Sequence, residues 1–125
     1  MKVRMLLIYA ACGMAMMSQS IAAQPHASLQ LPMEHYAGYF REQCVQLEAG
    51  QALRVALESP YAVRLNVHHH APERTVFLVD ALVDASITDT FDIPSGGEYC
   101  LQVTNPENRA SSFELRLDYR VDSRS

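Results

Sequence analysis

The chain has 125 residues, of which 14 are acidic and 10 are basic, and its formal net charge is −4. This length suffices for one small domain. The negative charge, without a basic stripe, disfavours nucleic acid and anionic membranes as partners, because both are bound through clustered Lys and Arg side chains.

Residues 1–23 have the pattern of a cleavable signal peptide. Lys2 and Arg4 form a positively charged start, residues 5–17 are apolar, and the pair Ala22-Ala23 provides a small-residue cleavage site. The apolar run of about 13 residues is shorter than the roughly 20 needed for a spanning helix, which disfavours a retained anchor. We therefore expect a periplasmic or secreted mature protein with no membrane span, and loss of both leader cations makes its formal charge −6.

Two cysteines, Cys44 and Cys100, remain once Cys12 is removed with the leader. In an oxidising compartment such a pair predicts a disulfide. The bond would close a loop of about 57 residues and contribute roughly 4 kcal/mol, which so small a domain needs. Each cysteine is out of phase with the apolar residues of its strand. The bond should therefore join neighbouring strands on an outer face.

Residues 24–34 contain two prolines and no sustained periodicity, so they are interpreted as a linker. Period-two alternation follows, which predicts short antiparallel strands separated by Pro, Gly and Asn turns. The clearest strands cover residues 44–47, 53–58, 63–68, 76–83, 91–93, 99–103 and 113–122. The run 76–83 is more continuously apolar, which fits either a strand buried on both faces or a strand with a bend. The expected fold is all-β, an antiparallel β-sandwich of 7–8 strands with one disulfide, over residues 35–122.

Three segments carry a family resemblance: Cys44 before a Glu-Ala-Gly turn, the strand Leu65-Asn66-Val67-His68, and residues 91–105, FDIPSGGEYCLQVTN. They resemble the GOLD (Golgi-dynamics) family. They are also similar to small exported bacterial proteins with an N-[IV]-H-x-H strand and a Y-C-L-x-x-x-N strand. The resemblance implies a jelly-roll-like sandwich and a non-catalytic binding or adaptor module. The trafficking role of GOLD proteins is not carried over, because a fold does not fix a function.

A polar patch is the best candidate site. On a strand, Arg64, Asn66, His68 and His70 share one face, while His69 continues the apolar face of Val67. We interpret these four side chains as a ligand-binding patch on an outer face.

Metal binding is the alternative interpretation, because two histidines at i and i+2 can chelate copper or zinc from one strand. His35 is the first candidate for a third ligand, and His26, Glu73 and Asp80 are further ones. Met33-Glu34-His35 offers soft and imidazole ligands near the linker. No spacing fixes these additional ligands, so the sequence requires no cofactor.

No catalytic signature is present, because the serines have no G-x-S-x-G context and the acids follow no calcium-loop pattern. The leading hypothesis is therefore a non-catalytic exported module that binds a protein, a peptide or a small ligand. The alternative is a periplasmic copper- or zinc-binding protein that uses His68 and His70.

Overall fold

The structure is a computed structural model that describes residues 26–123. It contains eight strands: β1 (His26–Met33), β2 (Phe40–Leu47), β3 (Ala52–Glu58), β4 (Val63–His70), β5 (Thr75–Val83), β6 (Ser86–Asp92), β7 (Gly97–Thr104) and β8 (Phe113–Asp122). The predicted signal peptide lies outside the described residues. Among the described residues, no helix has the length and apolarity needed to cross a bilayer.

The strands form two four-stranded antiparallel sheets, with the orders β1-β8-β3-β6 and β2-β7-β4-β5. This is the arrangement of a double-sheet jelly roll, in which consecutive strands mostly alternate between the two sheets. The predicted all-β antiparallel sandwich is confirmed, and so is its number of strands.

The hydrophobic core lies between the sheets and follows from the period-two pattern, since alternate residues of each strand point inward. Burying a large apolar side chain contributes about 1.5–3 kcal/mol. The inner face of the first sheet supplies Leu53, Val55, Leu57, Leu115 and Leu117, and that of the second supplies Leu47, Leu65, Val67, Tyr99 and Leu101, each at most 1% exposed.

The linker prediction is wrong for residues 26–33, which form β1 and pair with β8 along its whole length. Leu29 and Leu31 pack against the core and Met33 is 1% exposed, so a period of two is present. Pro32 obscured it in the sequence. Because β1 is an edge strand, a residue without an N–H is tolerated there.

The predicted disulfide is confirmed: Cys44 and Cys100 are directly opposed partners on the neighbouring strands β2 and β7. Cys100 lies on the side of β7 that faces away from the core residues Tyr99 and Leu101, as the alternation predicts. The bond therefore links two strands within one sheet and leaves the two sheets to be held together by core packing.

A buried asparagine joins the loops at one end of the sandwich. Asn105 is 0% exposed, and its Nδ2 donates to the carbonyl oxygens of Glu34 and Tyr36, each at 3.1 Å. Arg109 Nη2 donates to the Ala62 carbonyl oxygen at 2.8 Å, and Arg109 Nε donates to Asn105 Oδ1 at 3.4 Å. These hydrogen bonds satisfy backbone carbonyl groups of the β1–β2 and β3–β4 loops. Side chains of Asn105 and Arg109 therefore hold these loops together at one end of the sandwich, where no strand pairing does so.

Candidate functional site

The outward-pointing residues of β2, β7, β4 and β5 form one surface, here called the front face. The strand register arranges them in rows across the four strands. The rows are Phe40–Thr104–Arg64–Leu82, then Glu42–Gln102–Asn66–Asp80, then Cys44–Cys100–His68–Phe77, with His70 and Thr75 paired beyond them. All four residues of the predicted patch, Arg64, Asn66, His68 and His70, thus lie on one face.

Three large apolar side chains project from the front face into solvent. Phe77 and Leu82 are each 57% exposed, and Phe40 is 52% exposed. With strands spaced about 4.8 Å apart, Phe40 and Leu82 stand roughly 14 Å from each other at opposite edges of the same row. Phe77 lies on β5 beside His68. The three side chains therefore stand at the margins of the front face, on its two edge strands β2 and β5.

A register shift in β5 explains why two of these residues point outward. Val67 pairs with Val79 but the next residue, His68, pairs with Phe77, so Leu78 is an extra residue in β5. Such a bulge changes which side chains face the core. Of the two interpretations of the apolar run 76–83, burial on both faces is wrong, because Phe77 and Leu82 are exposed.

The histidines of β4 alternate as predicted. The His69 ring stacks on Tyr99 with centroids 4.4 Å apart and planes at 16°, is 5% exposed, and has Nδ1 3.0 Å from the Glu98 carbonyl oxygen. A Cβ at Gly97 would collide with His69 Cε1, so this glycine leaves room for the ring. His69 is a packing residue of the sandwich interior.

His68 is on the front face but is only 7% exposed. Its Nδ1 lies 2.6 Å from Asn66 Oδ1, and its Nε2 lies 3.5 Å from Glu42 Oε2. The rings of His70 and Phe77 cover it, with centroids 4.8 Å and 6.0 Å away. Both ring nitrogens therefore face acceptor oxygens, and His68 forms the buried floor of the front face while His70 is exposed.

The front face has more acidic than basic groups. It has three carboxylates, those of Glu42, Asp80 and Glu98, and one guanidinium, that of Arg64. The Arg64 guanidinium lies 3.1 Å from Asp80 Oδ1. The two side chains of this ion pair are 49% and 48% exposed, so the pair contributes little to folding and remains available to a partner.

Of the predicted metal ligands, the structure brings His68 and His70 together, with ring centroids 4.8 Å apart, but does not group His35 with them. His35 lies in the β1–β2 loop, where its ring contacts Tyr36. Within residues 26–123, the groups of three His, Cys, Asp or Glu donor atoms within 4.8 Å of one another are Glu42–His68–Cys100 and Cys44–Glu98–Cys100. Each includes a sulfur of the disulfide, and neither includes His70 or His35.

The sequence did not indicate Phe40, Phe77, Leu82 or Glu42 as site residues. Phe40 precedes the predicted strand, and the other two apolar residues belong to a run that fitted either burial on both faces or a bend. The sequence does hold a signal for Glu42, because a residue two positions before Cys44 lies on the same face of a strand. Only the pairing of β2 with β7 and of β7 with β4 brings Glu42 near His68.

No family model and no curated protein sequence matches the chain. The resemblance to GOLD proteins therefore stays a prediction.

Solved structures do match, at low sequence identity. A periplasmic inhibitor of g-type lysozyme from Aeromonas hydrophila is 20% identical, with a TM-score of 0.57 over 78% of this chain and 86% of its own. The corresponding inhibitor from Salmonella Typhimurium is 15% identical, with a TM-score of 0.56 over 78% and 92%. A pre-peptidase C-terminal domain of a Bacillus anthracis collagenase is 11% identical, with a TM-score of 0.53 over 76% and 89%. At these identities the likeness establishes the β-sandwich fold.

Proposed function

We propose that this protein is an exported, non-catalytic β-sandwich module that binds another protein through its front face. The observation that carries the proposal is the projection of Phe40, Phe77 and Leu82, all more than half exposed, from one face of one sheet. Burying a side chain of this size contributes about 1.5–3 kcal/mol, which a monomer forgoes and a complex gains. Aromatic residues are enriched in protein–protein interfaces.

The polar groups around these side chains support a protein partner with a basic contact surface. Glu42, Asp80 and Glu98 offer carboxylates to a cationic partner. Complementary charge chiefly speeds encounter and fixes orientation, and the apolar side chains supply the affinity. Asn66 and His68 hold each other in place, which lowers the entropic cost of binding at the centre of the face.

A g-type lysozyme is the first candidate partner. Two of the similar structures are described as periplasmic inhibitors of that enzyme, and both share the sandwich over most of their length. An inhibitor's role also agrees with the non-catalytic function that the sequence predicts. The predicted copper- or zinc-binding function has less support, because His70 and His35 do not join His68 in a three-donor group.

Calorimetric titration of the mature protein with a g-type lysozyme tests both the partner and the face. We expect saturable binding, and at least a tenfold loss of affinity when Phe77→Ser and Leu82→Ser are combined. Gln30→Ser and Thr88→Ala, on the outer face of the other sheet, are matched controls and should bind like the unmodified protein. Absence of binding rejects this partner, and equal losses in the two sets of variants reject the front face.

Export is part of the same proposal. We expect residues 1–23 to be cleaved, so that the mature chain begins within a few residues of Gln24 in the periplasm or outside the cell. Intact-mass measurement of the protein recovered from the periplasm tests this. A full-length mass in that fraction would contradict it.

A further inference from the structure

The centre of the front face holds four metal-binding side chains from three adjacent strands. Cys44, Cys100 and His68 stand in one row on β2, β7 and β4, and Glu42 is two residues from Cys44 on the same face. Oxygen, nitrogen and sulfur atoms of Glu42, His68 and Cys100 all lie within 4.8 Å of one another, and Cys44 belongs to a second such group, with Glu98 and Cys100. Two of the residues are nearly inaccessible to solvent, since His68 is 7% and Cys100 is 3% exposed.

The donor atoms of the histidine and the glutamate are already separated by the distance expected for two zinc ligands. Tetrahedral Zn²⁺ with bonds of about 2.0–2.3 Å separates its donor atoms by roughly 3.3–3.8 Å. His68 Nε2 and Glu42 Oε2 are 3.5 Å apart. The other ring nitrogen, Nδ1, lies 2.6 Å from Asn66 Oδ1, and a hydrogen bond of this kind fixes a metal-binding histidine so that Nε2 points at the metal.

The remaining two ligands, the sulfur atoms of Cys44 and Cys100, are bonded to each other in the disulfide. A disulfide sulfur is a poor zinc ligand, whereas a thiolate is a strong one. We propose that reduction of the Cys44–Cys100 disulfide creates a zinc site in the front face, with Cys44, Cys100, His68 and Glu42 as its four ligands. This site differs from the His68–His70–His35 set that the sequence suggested, and it is independent of the partner proposed above.

The chemistry of the step balances. A dithiol reductant supplies two electrons and two protons, the S–S bond breaks to give two thiols, and the reductant becomes a disulfide. Zinc binding then forms two Zn–S bonds and releases the two thiol protons to solvent. Because the metal would cross-link β2, β7 and β4, it replaces the covalent link that reduction removes from β2 and β7.

Cobalt binding to the reduced protein tests the proposal, because tetrahedral Co²⁺ with thiolate ligands absorbs strongly in the visible region. We expect one equivalent of Co²⁺ to produce this spectrum in mature protein reduced with a phosphine, and Zn²⁺ to displace it. The oxidised protein should give no such spectrum. Zn²⁺ should also raise the thermal midpoint of the reduced protein, which shows that the site belongs to the folded chain.

Variants identify the ligands. His68→Ala and Glu42→Gln should each lower the affinity of the reduced protein for Co²⁺ at least tenfold, and Asn66→Ala should lower it by a smaller factor. His35→Ala is the matched control and should leave the affinity unchanged. The proposal is overturned if the reduced protein gives no tetrahedral spectrum, if it stays unfolded with Zn²⁺, or if His68→Ala binds Co²⁺ as tightly as His35→Ala.

Discussion

The two outer faces of the sandwich are built on the same pleat but carry different chemistry. The front face exposes Phe40, Phe77 and Leu82 around a buried His68. The outer face of β1, β8, β3 and β6, here called the back face, is polar, and none of the large exposed apolar side chains of residues 26–123 lies on it. Its strand β8 alternates charges along its length, with Arg116 beside Asp118 and Arg120 beside Asp122 at 3.2 Å.

This difference supports the proposal that the front face, and not the back face, meets a partner. A back face of charged and small residues is what solubility requires of a sheet with one wet side. Exposed aromatic and aliphatic side chains gathered on a single face contribute little to folding and favour association, so they need another explanation. The back face does have a shallow depression of about 310 Å³, but small residues, Ser28 and Ala56, lie in it beside charged side chains.

The largest effect we expect is on the front face, where the disulfide lies. Replacing Cys44 and Cys100 together by Ser should lower the free energy of unfolding by about 2–5 kcal/mol, because the unfolded chain regains the freedom of a long loop. Denaturant titration of the two proteins measures the difference. A loss below about 1 kcal/mol would contradict this prediction and would assign the stability of the sandwich almost wholly to its core.

A pair of histidine variants separates the inner from the outer side of β4. His69→Ala should cost about 1–3 kcal/mol, because it removes a buried ring stacked on Tyr99 and the hydrogen bond to Glu98. His70→Ala should change stability by less than about 0.5 kcal/mol, since His70 is exposed. Thermal or denaturant unfolding of both variants measures the contrast. Equal effects would show that the two faces of this strand are assigned wrongly.

The smallest effects concern two arginines, one on each face. Arg64 pairs with Asp80 on the front face, and Arg64→Gln should cost about 0.2–0.5 kcal/mol. Arg54 on the back face stands directly opposite Arg120, and within residues 26–123 it has no ion pair or hydrogen bond. Arg54→Gln should therefore stabilise the fold by about 0.2–0.5 kcal/mol. Unfolding at low and high salt checks both signs, and the two effects should shrink as salt screens the charges. Destabilisation by Arg54→Gln at low salt would contradict the like-charge argument.

Much of the fold could be predicted from the sequence, because strict alternation sets both the strands and the side chains that face the core. The pairs Tyr99/Cys100 and His69/His68 show it, since each has its first member inside and its second on the outer face. The disulfide was predictable because only two cysteines follow the predicted leader. The strand β1 was missed, because a proline such as Pro32 usually signals a break in a strand. The proline is tolerated because β1 is an edge strand, and the sequence does not show that position.

The chemistry of the site was less predictable, because it depends on pairing between strands. Local alternation places His68 beside His70, but only the register of three strands places Glu42 and Cys100 around His68. The outward position of Phe77 depends on the bulge at Leu78, which has no glycine or proline to mark it. His68 has low exposure on a face expected to be wet, because Glu42 on β2, Phe77 on β5 and His70 on its own strand surround it.

The central claim, that the front face is the protein-binding surface, is tested most directly by methyl NMR during titration with a g-type lysozyme. In protein labelled at Leu and Ala methyl groups, Leu82 reports on the front face and Ala56 on the back face. We expect the Leu82 methyl resonances to shift or broaden in a saturable way while the Ala56 methyl resonance stays in place. A saturable shift of Ala56 with Leu82 unmoved would contradict the claim.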